Sequence, residues 1–311
     1  MKLRILPQGL LKESKKRKKI LFKDTTFTKK VISSIPALWL LLFFVFPLLI
    51  IFKISFSKAV FDMPPFSEIF YNLGNYMLEV KICLQNYVKI LRDYYYLKAL
   101  INSLTLGISA VIFCLMIGYP MAYGIYNAKQ NIKTVLLLLV TLSFWTSSLI
   151  RVYSWINFLS IHGTLNSALM NIGIINEPIQ FLGTYPIVCL GMVGCYLPFM
   201  IFPIYAILER VDRSYIEAAL DLGYKPTKVF WTITIPLTKQ GIISGSLLVF
   251  ATSAGEFVVP ELLGGANTIT LGRILWSEFF SNLDWPMACA LSIFMMVIVV
   301  LPVLIMQKKT T

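Results

Sequence analysis

Residues Glu217 to Pro236 read EAALDLGYKPTKVFWTITIP, a charged and polar stretch between two long apolar runs. Just before and inside it, Leu208, Val211, Tyr215, Ala218, Ala219 and Leu222 recur at three- and four-residue steps. That is the period of one helix face. Glu209, Arg210, Asp212 and Arg213 supply the wet face. The pattern predicts a short helix over 209–221 that leaves the preceding apolar run. Gly223 then supplies a turn of positive φ, which a side chain would oppose. Pro226 suits the first turn of a second helix. Pro236 is expected to bend or break that second helix where it enters the next apolar run.

The runs on either side set the class. Of 311 residues, 57% are hydrophobic and 14% charged. A helix needs roughly 20 apolar residues, at ~1.5 Å each, to cross ~30 Å of hydrocarbon. Six segments approach or exceed that length: 33–52, 99–126, 134–150, 184–208, 237–260 and 286–306. They predict an all-α polytopic membrane protein with six transmembrane helices. The second is rich in small residues (Ser103, Gly107, Ser109, Ala110, Gly118), which let membrane helices approach closely. Pro36 and Pro47 are tolerated in the first, and Pro198 and Pro203 are kink sites in the fourth. The first run is too long for a signal-peptide core and lacks a small-residue cleavage site, so it reads as an uncleaved span. Between the first two spans, Met63-Pro64-Pro65 breaks any helix, and 87–96 has helical spacing with interfacial tyrosines. The domain plan is a basic tail over 1–30 followed by a membrane domain over 31–311. Within the latter, 31–98 holds the first span and an external segment, and 99–307 holds the core helices with a coupling loop at 209–236.

Net charge is +13, but its distribution does not suggest nucleic acid. Six spans put both termini on one side of the membrane. With them go the tail, the Lys129/Lys133 turn, the 209–236 loop and the C-terminal lysines. With Lys239 just beyond the 209–236 loop, this side holds twenty of the 28 Lys and Arg, and the other side holds eight. The positive-inside rule makes the first side cytoplasmic. The basic tail suits anionic lipid headgroups.

Little points to catalysis. There is no G-x-x-x-x-G-K-[ST] phosphate loop, no G-x-S-x-G and a single histidine, His162, without flanking acids at ligand spacing. The five cysteines show no C-x-x-C spacing and read as buried small hydrophobes. No metal site is suggested, and the chain is expected not to be an enzyme by itself.

Glu256, near the outer end of the fifth span, is the acid that matters most. A charge at mid-membrane costs ~2.5–3.5 kcal/mol, so such an acid faces either a pathway or a partner. Both readings stand for Glu256. Glu261, Glu278 and Asp284 follow on the outer side, interleaved with Trp276 and Trp285. Acids with aromatic faces suit a small organic cation, and they equally suit an aromatic belt with interfacial charges.

The order Glu217-Ala218-Ala219, three residues, Gly223, nine residues, Ile233, one residue, Ile235, Pro236 resembles the EAA signature loop of permease subunits of ATP-binding-cassette (ABC) importers. Three further segments look like bacterial polyamine permeases: 144–153 (FWTSSLIRVY), 255–265 (GEFVVPELLGG) and 272–280 (GRILWSEFF). So do Leu197-Pro198-Phe199-Met200 and Asp284-Trp285-Pro286. The likeness runs over about 99–306 and is closest to the putrescine type. It implies a type I ABC importer permease fold in the bacterial inner membrane. It also implies a complex with an ABC ATPase dimer, a second and usually non-identical permease subunit, and an extracytoplasmic polyamine-binding protein. ATP and Mg would be used by the ATPase, with no cofactor in this chain. Glu217 would be the charged contact of the loop in an ATPase groove, Gly223 its turn, and Ala218 and Ala219 the close-packed positions. Alternatives are a permease of the same fold for another small organic solute, a membrane enzyme, and a secondary transporter. The last would not need an EAA loop.

Overall fold

A computed structural model describes residues 33–310, apart from 61, 68–69, 73–77, 81 and 266–267. The basic tail at 1–30 lies outside the described residues. The chain divides into two units, Met1–Ile54 and Ser55–Thr311. The described part of the first is α1 (Ser33–Ser55, its last residue in the second unit), which is apolar along its length and contains a π-helical turn at Leu41–Val45.

Among the described residues, the regular structure of the second unit is helical apart from a small antiparallel hairpin, Phe70–Asn72 with Leu78–Val80. Its helices are α2 (Gln85–Arg92), α3 (Tyr94–Asn127), α4 (Gln130–Trp145), α5 (Ser148–Leu159), α6 (Thr164–Asn171) and α7 (Tyr185–Leu208). After these come α8 (Ser214–Asp221), α9 (Pro226–Ala254), α10 (Val258–Leu263), α11 (Leu271–Trp276) and α12 (Trp285–Thr310). Among the described residues, five helices, α1 included, are long and apolar enough to cross a membrane, and α4 with the bent segment after it makes a sixth candidate.

The interfacial helix expected at 87–96 ends at Arg92. Asp93 then begins α3 by accepting the Tyr95 amide at 3.0 Å, because a carboxylate satisfies an amide that has no partner inside the helix.

The core is α3, α7 and α9 packed together. Small residues make this possible. On α3 the buried positions Ala99, Ser103, Gly107, Cys114, Gly118 and Ala122 fall largely at four-residue steps. A β-carbon at Gly118 would stand 3.0 Å from Met200 on α7, and one at Gly107 3.3 Å from Phe250 on α9. In lipid there is no hydrophobic drive between helices, so this close van der Waals approach is what holds them. All five cysteines are buried, with no disulfide among them.

The third span differs from expectation. It reads as 134–150 in sequence, yet α4 stops at Trp145 and the following helix turns through 94°. The polar run Thr146-Ser147-Ser148 gives the backbone other hydrogen-bond partners than the ladder. Arg151 then donates to the carbonyls of Ser143 and Thr146, which the ended helix leaves open. The stretch 151–183 is therefore partly helical. Buried Asn166 pins it by exchanging two bonds with the Ile179 backbone (2.9 and 3.0 Å) and donating a third to Ser160.

Candidate functional site

Two places hold the leading candidates, the signature residues at one and Glu256 at the other. The first is the loop between α7 and α9. The predicted helix over 209–221 is shorter than its periodicity: α7 ends at Leu208, Glu209–Arg213 turn, and α8 starts at Ser214. Asp212 accepts the Ser214 amide at 3.0 Å, which holds its carboxyl below the usual range.

Gly223 has φ of +82°. Its amide donates to Leu220 O at 2.9 Å, and the Tyr224 amide donates to Ala219 O at 3.2 Å. These two bonds make a Schellman motif, which closes α8. A β-carbon at Gly223 would meet nothing within 4 Å, so backbone conformation alone selects glycine there. Gly223→Val is expected to misdirect the loop and lower import, because the left-handed region costs ~1–2 kcal/mol without glycine. Gly223→Asn should be far milder, since asparagine tolerates that region. Import rates of the two variants at matched expression check this; equal rates would remove the requirement.

Pro226 opens α9 as expected. Pro236 does not break it. The helix widens to a π turn over Phe230–Thr234 and runs on to Ala254. Proline has no N–H for the carbonyl four residues back, and the wider turn absorbs the missing bond. Phe230 then packs edge-on between Tyr119 and Tyr123 of α3, at 5.6 and 5.3 Å. Ile233 is half-buried there and Pro236 exposed. Of the remaining signature residues, Ala219 is buried, while Glu217 and Ala218 are exposed. The predicted apolar stripe is split: Leu208 is packed inside, but Leu222 is 78% exposed. Trp231, 68% exposed, stands on the following helix. An exposed carboxylate among large uncovered apolar groups has the composition of a partner surface.

The second place is a cavity of about 400 Å³ where α4 breaks. Its wall includes Thr146, Ser147, Arg151, Cys195, Tyr196 and Glu256. Glu256 is half-buried and heavily bonded. One oxygen accepts the amides of Val258 (2.7 Å) and Val259 (3.4 Å), and so caps α10. The other accepts the Tyr196 hydroxyl of α7. Arg151 adds a donor bond to Cys195 O at 3.3 Å. This lining therefore carries both signs of charge.

The other outer residues do not converge on this cavity. Glu261 pairs with Arg273, whose guanidinium also donates to Gly265 O at 3.2 Å. Glu278 accepts from Tyr96 (2.9 Å) and Asn282 (2.9 Å). Trp276 stacks on Phe257 with centroids 4.7 Å apart. Asp284 caps α12 through the Met287 amide at 2.9 Å and lines a separate groove with Asp62 and Trp285. His162 is exposed in a turn. Sequence reading gave no role to Tyr196 or Arg151. A lone arginine three residues after a polar triplet in an apolar run was the available signal for the second.

Gly272 supports the site from behind. A β-carbon there would stand 2.9 Å from the carbonyl oxygens of both Gly255 and Glu256. Gly272→Ala is thus expected to displace the Glu256 backbone and lower import several-fold, since overpacking costs ~1–3 kcal/mol. Unchanged import kinetics would show that the loop yields freely.

A family model described as binding-protein-dependent transport system inner membrane component matches residues 8–308. The chain belongs to this family. It is 36% identical over 280 residues to the spermidine/putrescine transport system permease protein PotB of Haemophilus influenzae, covering 90% of this chain and 93% of that one. Against PotB of Escherichia coli it is 36% identical over 272 residues, covering 88% and 94%. Among solved structures, a bacterial ABC transporter that imports the acidic polysaccharide alginate aligns with TM-score 0.68 at 19% identity, covering 93% of this chain and 97% of that one. At that identity the likeness concerns the fold, which is the ABC importer permease fold. With these relatives, the chain is an inner-membrane ABC importer permease of the PotB type, a transport component.

Proposed function

We propose that this chain is the pathway-forming subunit of an ATP-driven uptake system for polyamines, putrescine or spermidine. Its EAA loop transmits the work of a separate ATPase. The observation that carries the cargo is the 36% identity to spermidine/putrescine permeases over nine-tenths of the chain. The exposed Glu217 and Leu222 before the Gly223 turn, and Trp231 after it, support the coupling reading. In it, 214–236 docks in the ATPase on the cytoplasmic side, with both termini on that side. ATP binding and hydrolysis then shift the pathway between outward and inward access. A second permease chain completes the pathway, and an extracytoplasmic binding protein delivers the polyamine. ATP and Mg belong to the ATPase.

Glu256 contributes the negative charge of the cavity beside Tyr196. Another small organic solute is the second reading, favoured by Arg151 in the same cavity wall, because paired charges also fit a zwitterion. Uptake of labelled putrescine and spermidine by cells with and without this gene tests the proposal. Gene-dependent uptake of either supports it. Uptake independent of the gene, with gene-dependent import of an unrelated solute, overturns the cargo.

A further inference from the structure

A buried charge lies outside both places described above. Lys133, near the start of α4, is 7% exposed. Its ammonium donates to both oxygens of Glu209, at 3.0 and 3.3 Å. It stands 5.8 Å from the ring centres of both Tyr126 and Tyr205. Glu209 is the first residue after α7 and Arg213 the last before α8. Arg213 lies over the Tyr126 ring at 4.9 Å and donates to the Tyr126 carbonyl at 3.4 Å. Tyr126 is in the last turn of α3, where carbonyls lack helical partners and a cation is favoured. Arg213, Tyr126, Lys133 and Glu209 therefore form a chain of contacts whose two ends are joined by the 209–213 backbone. Both ends of the Glu209–Arg213 connection are tied to the corner between α3 and α4.

We infer that Lys133 is a positioning residue for energy coupling: through Glu209 and Tyr126 it fixes the start of α8 to the α3–α4 corner. This rests on the reading of α8 as the coupling helix. A connection held by turn-type bonds, such as the Arg210 amide to Ile207 O at 3.0 Å and the Val211 amide to Leu208 O at 3.2 Å, yields under load more readily than a continuous helix. Tied at both ends, it passes displacement of α8 to the broken span and to the small-residue face of α3. The Lys133 ammonium lies within bonding distance of a carboxylate that is itself half-exposed. Hydrogen bonding to Lys133 holds the Glu209 carboxyl below the usual glutamate range, against the opposing effect of desolvation. A carboxylate with a lowered folded-state pKa contributes stability above its unfolded value and loses it as pH falls through the folded one. The tie is accordingly intact at neutral pH. The Tyr126 hydroxyl is buried with no partner among the described residues, so the ring and the carbonyl carry its part.

The test uses the assembled transporter, with its ATPase and binding protein, in proteoliposomes. The readout is solute imported per ATP hydrolysed. Lys133→Met and Glu209→Gln are expected to lower this ratio at least threefold while ATPase copurification stays unchanged. The exchange Lys133→Glu with Glu209→Lys should regain part of it, and Tyr126→Phe, which keeps the ring, should match wild type. If Lys133→Met fails to assemble, Glu209→Gln, with a half-exposed side chain, decides alone. An unchanged ratio in an assembled variant overturns the inference. So does a loss that the exchange does not relieve at all. If Glu217→Arg also imports normally, the coupling reading itself has failed, which is a separate result.

Discussion

Glu217→Arg is expected to lower ATP-driven import at least tenfold while the chain still inserts and accumulates in the membrane. Glu217 makes no side-chain ion pair or hydrogen bond among the described residues, and it is exposed on α8. Reversing it costs the fold no more than the first-turn helix-dipole interaction, about 0.3–1 kcal/mol. In the docked complex the same position would bury a charge against the ATPase. Losing one partner of such a buried pair costs ~2–5 kcal/mol, and reversal adds repulsion. A loss of ~1.4 kcal/mol is already tenfold. The comparison to make is import against membrane abundance and ATPase copurification. A variant that imports at the wild-type rate would refute the coupling role of the loop. One that disappears from the membrane would instead show a structural role, which the exposure of Glu217 argues against.

The second large effect is at Glu256. Glu256→Leu removes the acceptor for three donors: two α10 amides and the Tyr196 hydroxyl. Each buried donor left without a partner costs ~1–3 kcal/mol. The variant should fail to assemble or should lose most import. Glu256→Gln is the informative companion. Its amide oxygen can still cap α10, and the Tyr196 hydroxyl can rotate to accept rather than donate, so structure is kept and only the charge goes. Uptake of a dication is then expected to fall about tenfold, the loss of one charge-assisted hydrogen bond of ~1.5–3 kcal/mol. Uptake of a neutral or zwitterionic solute would fall less. If Glu256→Gln imports a diamine with unchanged kinetics across pH, the acid serves only to cap α10 and brace α7.

The fold was legible in sequence where one physical constraint acted alone. A membrane-crossing helix needs a long apolar run, so the first, second, fourth and sixth spans were placed to within about five residues of their ends; the fifth, read as 237–260, runs instead over Pro226–Ala254 and leaves Glu256 in the turn after it. The Gly223 turn was equally readable, because a Schellman closure needs a left-handed residue and glycine adopts that conformation at the least cost. The third span was not readable in this way. Whether Thr146-Ser147-Ser148 stays helical depends on whether an outside donor meets the carbonyls released by a break. Arg151 is that donor, and its reach to Cys195 exists only once α7 is beside α4. Likewise, a proline in an apolar run predicts a kink, but local widening to a π turn is an alternative. Packing of Phe230 between Tyr119 and Tyr123 accompanies the one taken here.

The sequence alone determined the membrane class, the six apolar segments and the turn at Gly223. Each follows from composition or from backbone geometry within a few residues. Only the tertiary structure separated the acids. It put Glu256 in a cavity with Arg151 and Tyr196, sent Glu261 to Arg273 and Asp284 to cap α12, and buried Lys133 against Glu209. A charged side chain takes its role from whichever donor or acceptor lies within about 3 Å. In this chain those partners stand 76 residues away for Lys133 and 60 for Glu256, brought near by small-residue helix packing that the local pattern permits but does not direct.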